Sequence, residues 1–206
     1  MLDVSATAEG RAAAVETVRV IREQLSIPLT VGGGIRTAAD AERMLSAGAD
    51  KVSVNTAAVM RPALVDELAE RFGRQCTVVA IDARRFGSDP HEVRWETVIK
   101  AGTEGTGHDA VDWAREVVGR GAGELLLTSW DRDGTRSGYD LELLRAVSAA
   151  VQVPVIASGG ADTPEHFVEA VDAGAEAVLA ASIFHDGHTT VRDVKDALAT
   201  DGRFGR

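Results

Sequence analysis

The chain carries one pattern twice, and this repeat limits what it can fold into more than any other feature. Pro28-Leu29-Thr30-Val31-Gly32-Gly33-Gly34, then Thr37, Gly48-Ala49-Asp50, Val52 and Asn55-Thr56, recurs 126 positions on. The second copy reads Pro154-Val155-Ile156-Ala157-Ser158-Gly159-Gly160, Thr163, Gly174-Ala175-Glu176, Val178 and Ala181-Ser182. Each copy reads as buried strand, glycine loop, helix, buried strand, then a small or polar residue at the strand end. A glycine loop that opens a helix presents backbone N–H groups to an anion. The repeat therefore predicts two phosphate sites built alike, one from Gly33, Gly34, Asn55 and Thr56, the other from Gly159, Gly160, Ala181 and Ser182.

Apolar runs alternate with helical patterns along the whole chain. Strands are expected near 1–4, 28–32, 51–55, 76–82, 123–128, 153–158 and 177–181, and helices at Ala12 to Gln24, Ala38 to Ala47, Ala63 to Phe72, Ala110 to Arg120, Leu141 to Ala150 and Pro164 to Ala173. Such alternation gives a parallel sheet with right-handed crossovers. The two repeats close on each other most naturally as the half-barrels of a duplicated (β/α)8 TIM barrel; a doubly wound open sheet fits the same alternation. A full barrel takes about 250 residues, and this chain has 206. Residues 2–7 stand opposite 130–135 in the repeat, which makes 1–4 the end of a second barrel strand. The reading is thus a single domain, N-terminally truncated: residues 1–75 an incomplete first half-barrel, residues 76–206 a complete second one.

Composition removes several function classes. With 45% hydrophobic residues the chain can bury a core, and its net charge of −10 with only three lysines disfavours a nucleic-acid surface, which is met chiefly by clustered Lys and Arg. No apolar run approaches the roughly 18 residues of a membrane span, and the start lacks the basic residues of a secretory signal; the expectation is a cytoplasmic protein. Cys76 is the only cysteine, so neither an intrachain disulfide nor a cysteine zinc site is available, and no metal or cofactor is expected.

Working groups in such barrels sit at the carboxyl ends of strands. Asp82, after Thr77-Val78-Val79-Ala80-Ile81, is the expected catalytic carboxylate; a loop or helix cap is the alternative. Asp133 with Gly134 reads as a contact of the second phosphate or a ribose, whereas Asp3 and Asp131 order their loops. Asn55-Thr56 also suit an N-cap, and Arg36 suits either an anion or an ion pair on its helix. At the opposite strand ends Lys51 and Glu124 are placed to pair across the barrel floor. His185 and His188 flank Asp186 without a further ligand, while His91, His108 and His166 read as surface or capping residues. Trp95 and Trp113 read as packing around an insertion from about Arg84 to Gly107. It is longer than the typical βα loop of about 2–6 residues, and long loops at this face serve as lids.

These motifs converge on one family. Asp3-Val4-Ser5-Ala6-Thr7-Ala8-Glu9-Gly10-Arg11, Val31 to Arg36, Lys51 to Ala58, Ala80-Ile81-Asp82-Ala83, Asp131 to Asp140 and Ala157-Ser158-Gly159-Gly160 resemble the cyclase subunit of imidazole glycerol phosphate synthase. The resemblance implies a barrel that takes ammonia from a glutaminase subunit in a heterodimer. Its bisphosphate substrate is converted to imidazole glycerol phosphate and an aminoimidazole carboxamide ribotide. It implies Asp82 as general acid, with a partner carboxylate from a strand before Met1, and Lys51 and Glu124 as members of an ammonia gate. A chain lacking that strand is expected to be inactive alone. Two departures are visible: Phe184-His185-Asp186-Gly187-His188 stands where the family has Phe-His-Phe-Gly-Glu, and Asp162 stands where it has glycine. The sister isomerase of the same pathway shares the repeat, and a non-catalytic barrel that binds a phosphate ligand or the glutaminase is the reading from another class.

Overall fold

A computed structural model of the chain describes residues 1–3, 15–87 and 93–202. Residues 4–11 of the quoted motif, 12–14 of the first expected helix and His91 lie outside these. The strands are β1 (Thr30–Gly32), β2 (Lys51–Val54), β3 (Thr77–Phe86), β4 (Arg94–Ile99), β5 (Glu104–Asp109), β6 (Glu124–Ser129), β7 (Val155–Ser158) and β8 (Ala177–Val178). The α-helices are α1 (Val15–Gln24), α2 (Ala38–Ser46), α3 (Thr56–Met60), α4 (Ala63–Phe72), α5 (Ala110–Arg120), α6 (Leu141–Ser148), α7 (Pro164–Asp172), α8 (Ser182–His185) and α9 (Val191–Thr200).

The main sheet runs β1-β2-β3-β6-β7-β8, with every neighbouring pair parallel. Leu2 forms one parallel bridge to Gly32, so the seven expected strand positions lie side by side in chain order. This is the strand order of a (β/α)8 barrel, with helices packed on the outside of the sheet. Among the described residues β8 pairs only with β7. That edge position explains why β8 has two ladder residues where the sequence suggests five, although Leu179 N still donates to Ala157 O at 2.8 Å.

The repeat is visible in the hydrogen bonds as well as the letters. Asp50 N donates to Leu29 O at 2.8 Å and Glu176 N to Val155 O at 3.0 Å; Ala49 N donates to Met44 O and Ala175 N to Ala170 O. Gly48 and Gly174, which end the helices of the two units, have φ of +110° and +105°, where a β-carbon is strained. Thr37 and Thr163 stand at the N-caps of α2 and α7, each at the head of a capping box, with the Thr37 side chain accepting from Asp40 N. His166 completes the second box, accepting from Asp162 N and Thr163 N.

The helices bury one stripe each against the sheet. On α4 this stripe is Leu64, Val65 and Leu68, all fully buried, each contributing roughly 1.5–3 kcal/mol. Neighbouring helices are laced on the outside by Arg71–Glu42 at 2.8 Å and Arg120–Asp66 at 2.8 Å. Among the described residues no helix is long and apolar enough to cross a membrane.

The insertion after Asp82 is not a loop. β3 continues to Phe86 because Asp82 to Phe86 pair antiparallel with Arg94 to Val98 of β4, which in turn pairs with β5. The end of β3 near residue 82 expected from the sequence is therefore corrected: the strand leaves the barrel rim and becomes one arm of a hairpin extension. At its other end Cys76 belongs to a 3-10 turn, Arg74–Cys76, and not to the strand.

Candidate active site at the carboxyl rim

Because all six barrel strands run parallel, both glycine loops open on the same rim. Gly33 and Gly34 follow β1 with φ of +96° and +70°; Gly159 and Gly160 follow β7 with φ of +90° and +100°. Space as well as backbone requires glycine. A β-carbon on Gly33 would lie 2.1 Å from Asp3 O, and one on Gly160 would lie 2.3 Å from Gly138 O. The adjacent strand ends complete each pair. Asn55 turns the chain from β2 into α3 at φ −129°, ψ −94°, and Ala181 turns it from β8 into α8 at φ −125°, ψ −69°, with Thr56 and Ser182 the first helical residues.

Between these pairs lie β3 and β6, so the sheet order puts Asp82 midway along the rim. Asp82 stands in register with Thr128 of β6 and Val98 of β4. Its Oδ2 accepts a hydrogen bond from Asn55 Nδ2 at 2.9 Å. Burial is the main influence on its carboxyl and, with the nearby Asp133 charge, outweighs the hydrogen bonds from Asn55 and Thr128, pushing its pKa up to about 6. At neutral pH the group is mostly ionised yet can hold a proton at modest cost, which suits acid–base work.

The structure answers the capping alternative for Asn55. Its side chain makes no capping hydrogen bond; the amide instead turns onto Asp82, leaving Oδ1 buried without a partner. Thr56 is engaged from the hairpin, its Oγ1 accepting from Lys100 N at 3.3 Å. The hairpin tip, Lys100, Ala101 and Gly102, has three successive positive φ values of 53°, 55° and 73°. Gly102 presses on Trp130 at the end of β6, where a β-carbon would meet the ring at 2.0 Å. The tip thus reaches from the β2 end to the β6 end, across the strand that bears Asp82. Trp95 anchors it below, its Nε1 donating to the buried Asp140 at 3.3 Å.

Asp133 sits in the turn after β6, its N donating to Ser129 O at 2.9 Å; its β-carbon lies 3.3 Å from where one on Gly159 would be, and its charge reaches Asp82. Gly134 beside it has φ +73° and nothing near its missing side chain. Asp131 orders its loop, accepting from Arg85 N at 2.6 Å. Thr128, Lys100 and Trp130 are rim residues that the sequence reading passed over. Thr128 was findable as the polar residue that follows Leu125-Leu126-Leu127 at a strand end; the other two depend on the hairpin.

At the floor Lys51 Nζ and Glu124 Oε1 form an ion pair, both side chains partly buried. The strands that carry them are not neighbours, because β3 lies between β2 and β6. The pair spans the inside of the curled sheet instead of running along one ladder. Among the described residues no group of three or more His, Cys, Asp or Glu is placed to hold a metal ion.

Comparison with known proteins agrees with this architecture. The family described as Histidine biosynthesis protein matches residues 1–190. The chain is 56% identical over 203 residues to imidazole glycerol phosphate synthase subunit HisF of Mycobacterium tuberculosis, a match covering 98% of this chain and 76% of that protein. It is also 56% identical to the subunit of the same name from Mycobacterium leprae, covering 98% and 78%. The chain belongs to the histidine biosynthesis protein family, among the HisF-type subunits of imidazole glycerol phosphate synthase.

Proposed function

We propose that this chain is the cyclase of an imidazole glycerol phosphate synthase. It would use ammonia from a glutaminase subunit to convert a bisphosphate ribonucleotide into imidazole glycerol phosphate and aminoimidazole carboxamide ribotide. The observation that carries this reading is the rim itself: two glycine loops of like geometry flank one carboxyl whose pKa lies near neutrality. A substrate with a phosphate at each end would bridge the loops and lie across Asp82. Gly33, Gly34, Asn55 and Thr56 would hold one phosphate, and Gly134, Gly159, Gly160, Ala181 and Ser182 the other.

In this role Asp82 is the general acid, donating to a leaving oxygen or to nitrogen as the ring closes. Asn55 and Thr128 hold the carboxyl at the rim by hydrogen bonds that favour its ionised form. Asp133 raises the proton affinity of Asp82 and can take a ribose hydroxyl. The hairpin tip, tied to Thr56, serves as a wall that excludes water between the first phosphate and the reacting carbons. The Lys51–Glu124 pair would act as part of the gate that ammonia passes from the glutaminase docked below. We place residues 1–75 and 76–206 in the two half-barrels of one domain, and the activity among the free nucleotides of the cytoplasm.

The test is direct. Purified protein that also carries the first barrel strand expected before Met1, ammonium salt and the bisphosphate substrate are mixed, and both products are followed by chromatography and mass spectrometry. Equimolar formation of the two products supports the reading. Isomerisation of a ribonucleotide without ammonia consumption would assign the sister activity, and phosphate binding without turnover the non-catalytic one.

A further inference from the structure

Charged side chains from three separate loops meet at one guanidinium beside the second glycine loop. Arg136, in the turn after β6, donates from Nη2 to Asp186 Oδ2 at 3.0 Å, and the same nitrogen lies 3.0 Å from His188 Nε2. Its Nε is 3.9 Å from Asp162 Oδ1. Asp162 follows Gly160, while Asp186 and His188 follow α8. Arg136 itself has φ +58°, a left-handed conformation that is unfavourable for a non-glycine residue and persists where its surroundings fix it.

The backbone under Arg136 is already pressed on the glycine loop. Gly138 N donates to Gly160 O at 2.8 Å, and a β-carbon on Gly160 would sit 3.0 Å from Arg132 Cβ. The turn is closed on itself by Arg132 Nη1 to Ser137 Oγ at 3.0 Å. Arg136 extends this contact outward to the two remaining segments.

We infer that Arg136 is a positioning residue for the second anion site: one guanidinium ties together the segments that carry Gly134, Gly160 and Ser182 and so fixes the spacing of the groups that meet the phosphate. This rests on the function proposed above. An exposed ion pair contributes little to stability, and all four side chains are partly exposed. The effect of the cluster is therefore on the relative placement of loops, which a planar five-donor fork can set and a single ammonium cannot.

The test combines hydrogen exchange with binding of inorganic phosphate. In Arg136→Ala, amide exchange rises several-fold in segments 159–163 and 182–188 and stays at the wild-type level in 33–37. Phosphate affinity of the second site falls about 5- to 10-fold, within the range of coupling found in one contact network, and the first site is unchanged. With substrate, KM rises by a similar factor while kcat is held; Arg136→Lys restores only part of the loss. Arg115→Ala, which breaks an exposed pair with Asp112 on α5, is the control. Unchanged exchange or unchanged second-site affinity in Arg136→Ala overturns the inference, as does equal weakening of both sites, which would mean general destabilisation. A wild-type protein that holds phosphate at neither site overturns the proposed function itself, and the inference with it.

Discussion

Asp82→Asn should stabilise the protein above neutral pH while removing its chemistry. The wild-type carboxyl has a folded-state pKa of about 6 against a reference of 3.8, so the folded protein binds the proton more tightly than the unfolded chain. Its contribution is present in full below about pH 4 and is lost as pH rises through 6. A shift of about two units corresponds to about 3 kcal/mol in all, of which about 1.4 kcal/mol falls between pH 5 and pH 7.5. The introduced amide still accepts from Asn55 but never ionises, so the variant lacks this limb of the curve. Relative to wild type, its stability should gain about 1.4 kcal/mol on going from pH 5 to pH 7.5, or about 3–6 °C in Tm for a chain of this size. Comparing slopes cancels any pH-independent effect of the substitution. In protein that also carries the strand expected before Met1, the same substitution should lower ammonium-dependent turnover about 10²-fold or more. Parallel pH–stability curves for the two proteins would refute the burial of an ionisable Asp82, and near-normal turnover would remove it from proton transfer.

Other outcomes follow from neighbouring contacts. Asn55→Leu removes a hydrogen bond to the carboxylate and should move the alkaline limb of the pH–rate profile, where the Asp82 acid loses its proton, to higher pH, whereas Asp133→Asn removes a like charge and should move it to lower pH; shifts of the same sign would contradict the assigned causes. Gly160→Val forces a side chain into Gly138 O at a φ of +100° and should abolish retention of inorganic phosphate at the second site, while Arg36→Ala leaves it within about twofold by titration calorimetry, a surface change of the usual small size. Lys51→Met should lower glutamine-driven turnover more than ammonium-driven turnover in the complex with a glutaminase, and equal loss of both would make the floor pair purely structural. Leu68→Ala, at a fully buried position of α4, should cost about 2–5 kcal/mol in denaturant unfolding without altering phosphate affinity.

The barrel was legible in the sequence because its determinants are local and doubled. Thr37 and Thr163 announce helix starts, Gly48 and Gly174 helix ends, and the apolar runs between them can only be buried strands. Asp82 was legible for the same reason, as a lone carboxylate after five strand residues. The hairpin was not. Arg94-Trp95-Glu96-Thr97-Val98-Ile99 alternates as a strand should, but its partner is the far end of β3, whose Arg84-Arg85-Phe86 reads as a strand only once that pairing exists. The tip gave only Gly102 as a turn signal, since Lys100 and Ala101 adopt positive φ where glycine or asparagine is the usual mark. Asn55 reads as a phosphate ligand from its place at a strand end, and its additional hydrogen bond to Asp82 comes from tertiary contact between β2 and β3. The cluster at Arg136 was invisible for a related reason: its members are spread over residues 136 to 188 and meet only when three loops share a rim.

A crystal structure of the protein with bound bisphosphate substrate is the decisive test of two anion sites flanking Asp82 on one rim. One phosphate should lie against Gly33, Gly34 and Thr56, the other against Gly159, Gly160 and Ser182, with the reacting atoms within hydrogen-bond reach of the Asp82 carboxyl. A substrate held by one loop alone, or bridging two phosphates along a path that leaves Asp82 out of contact, would contradict it.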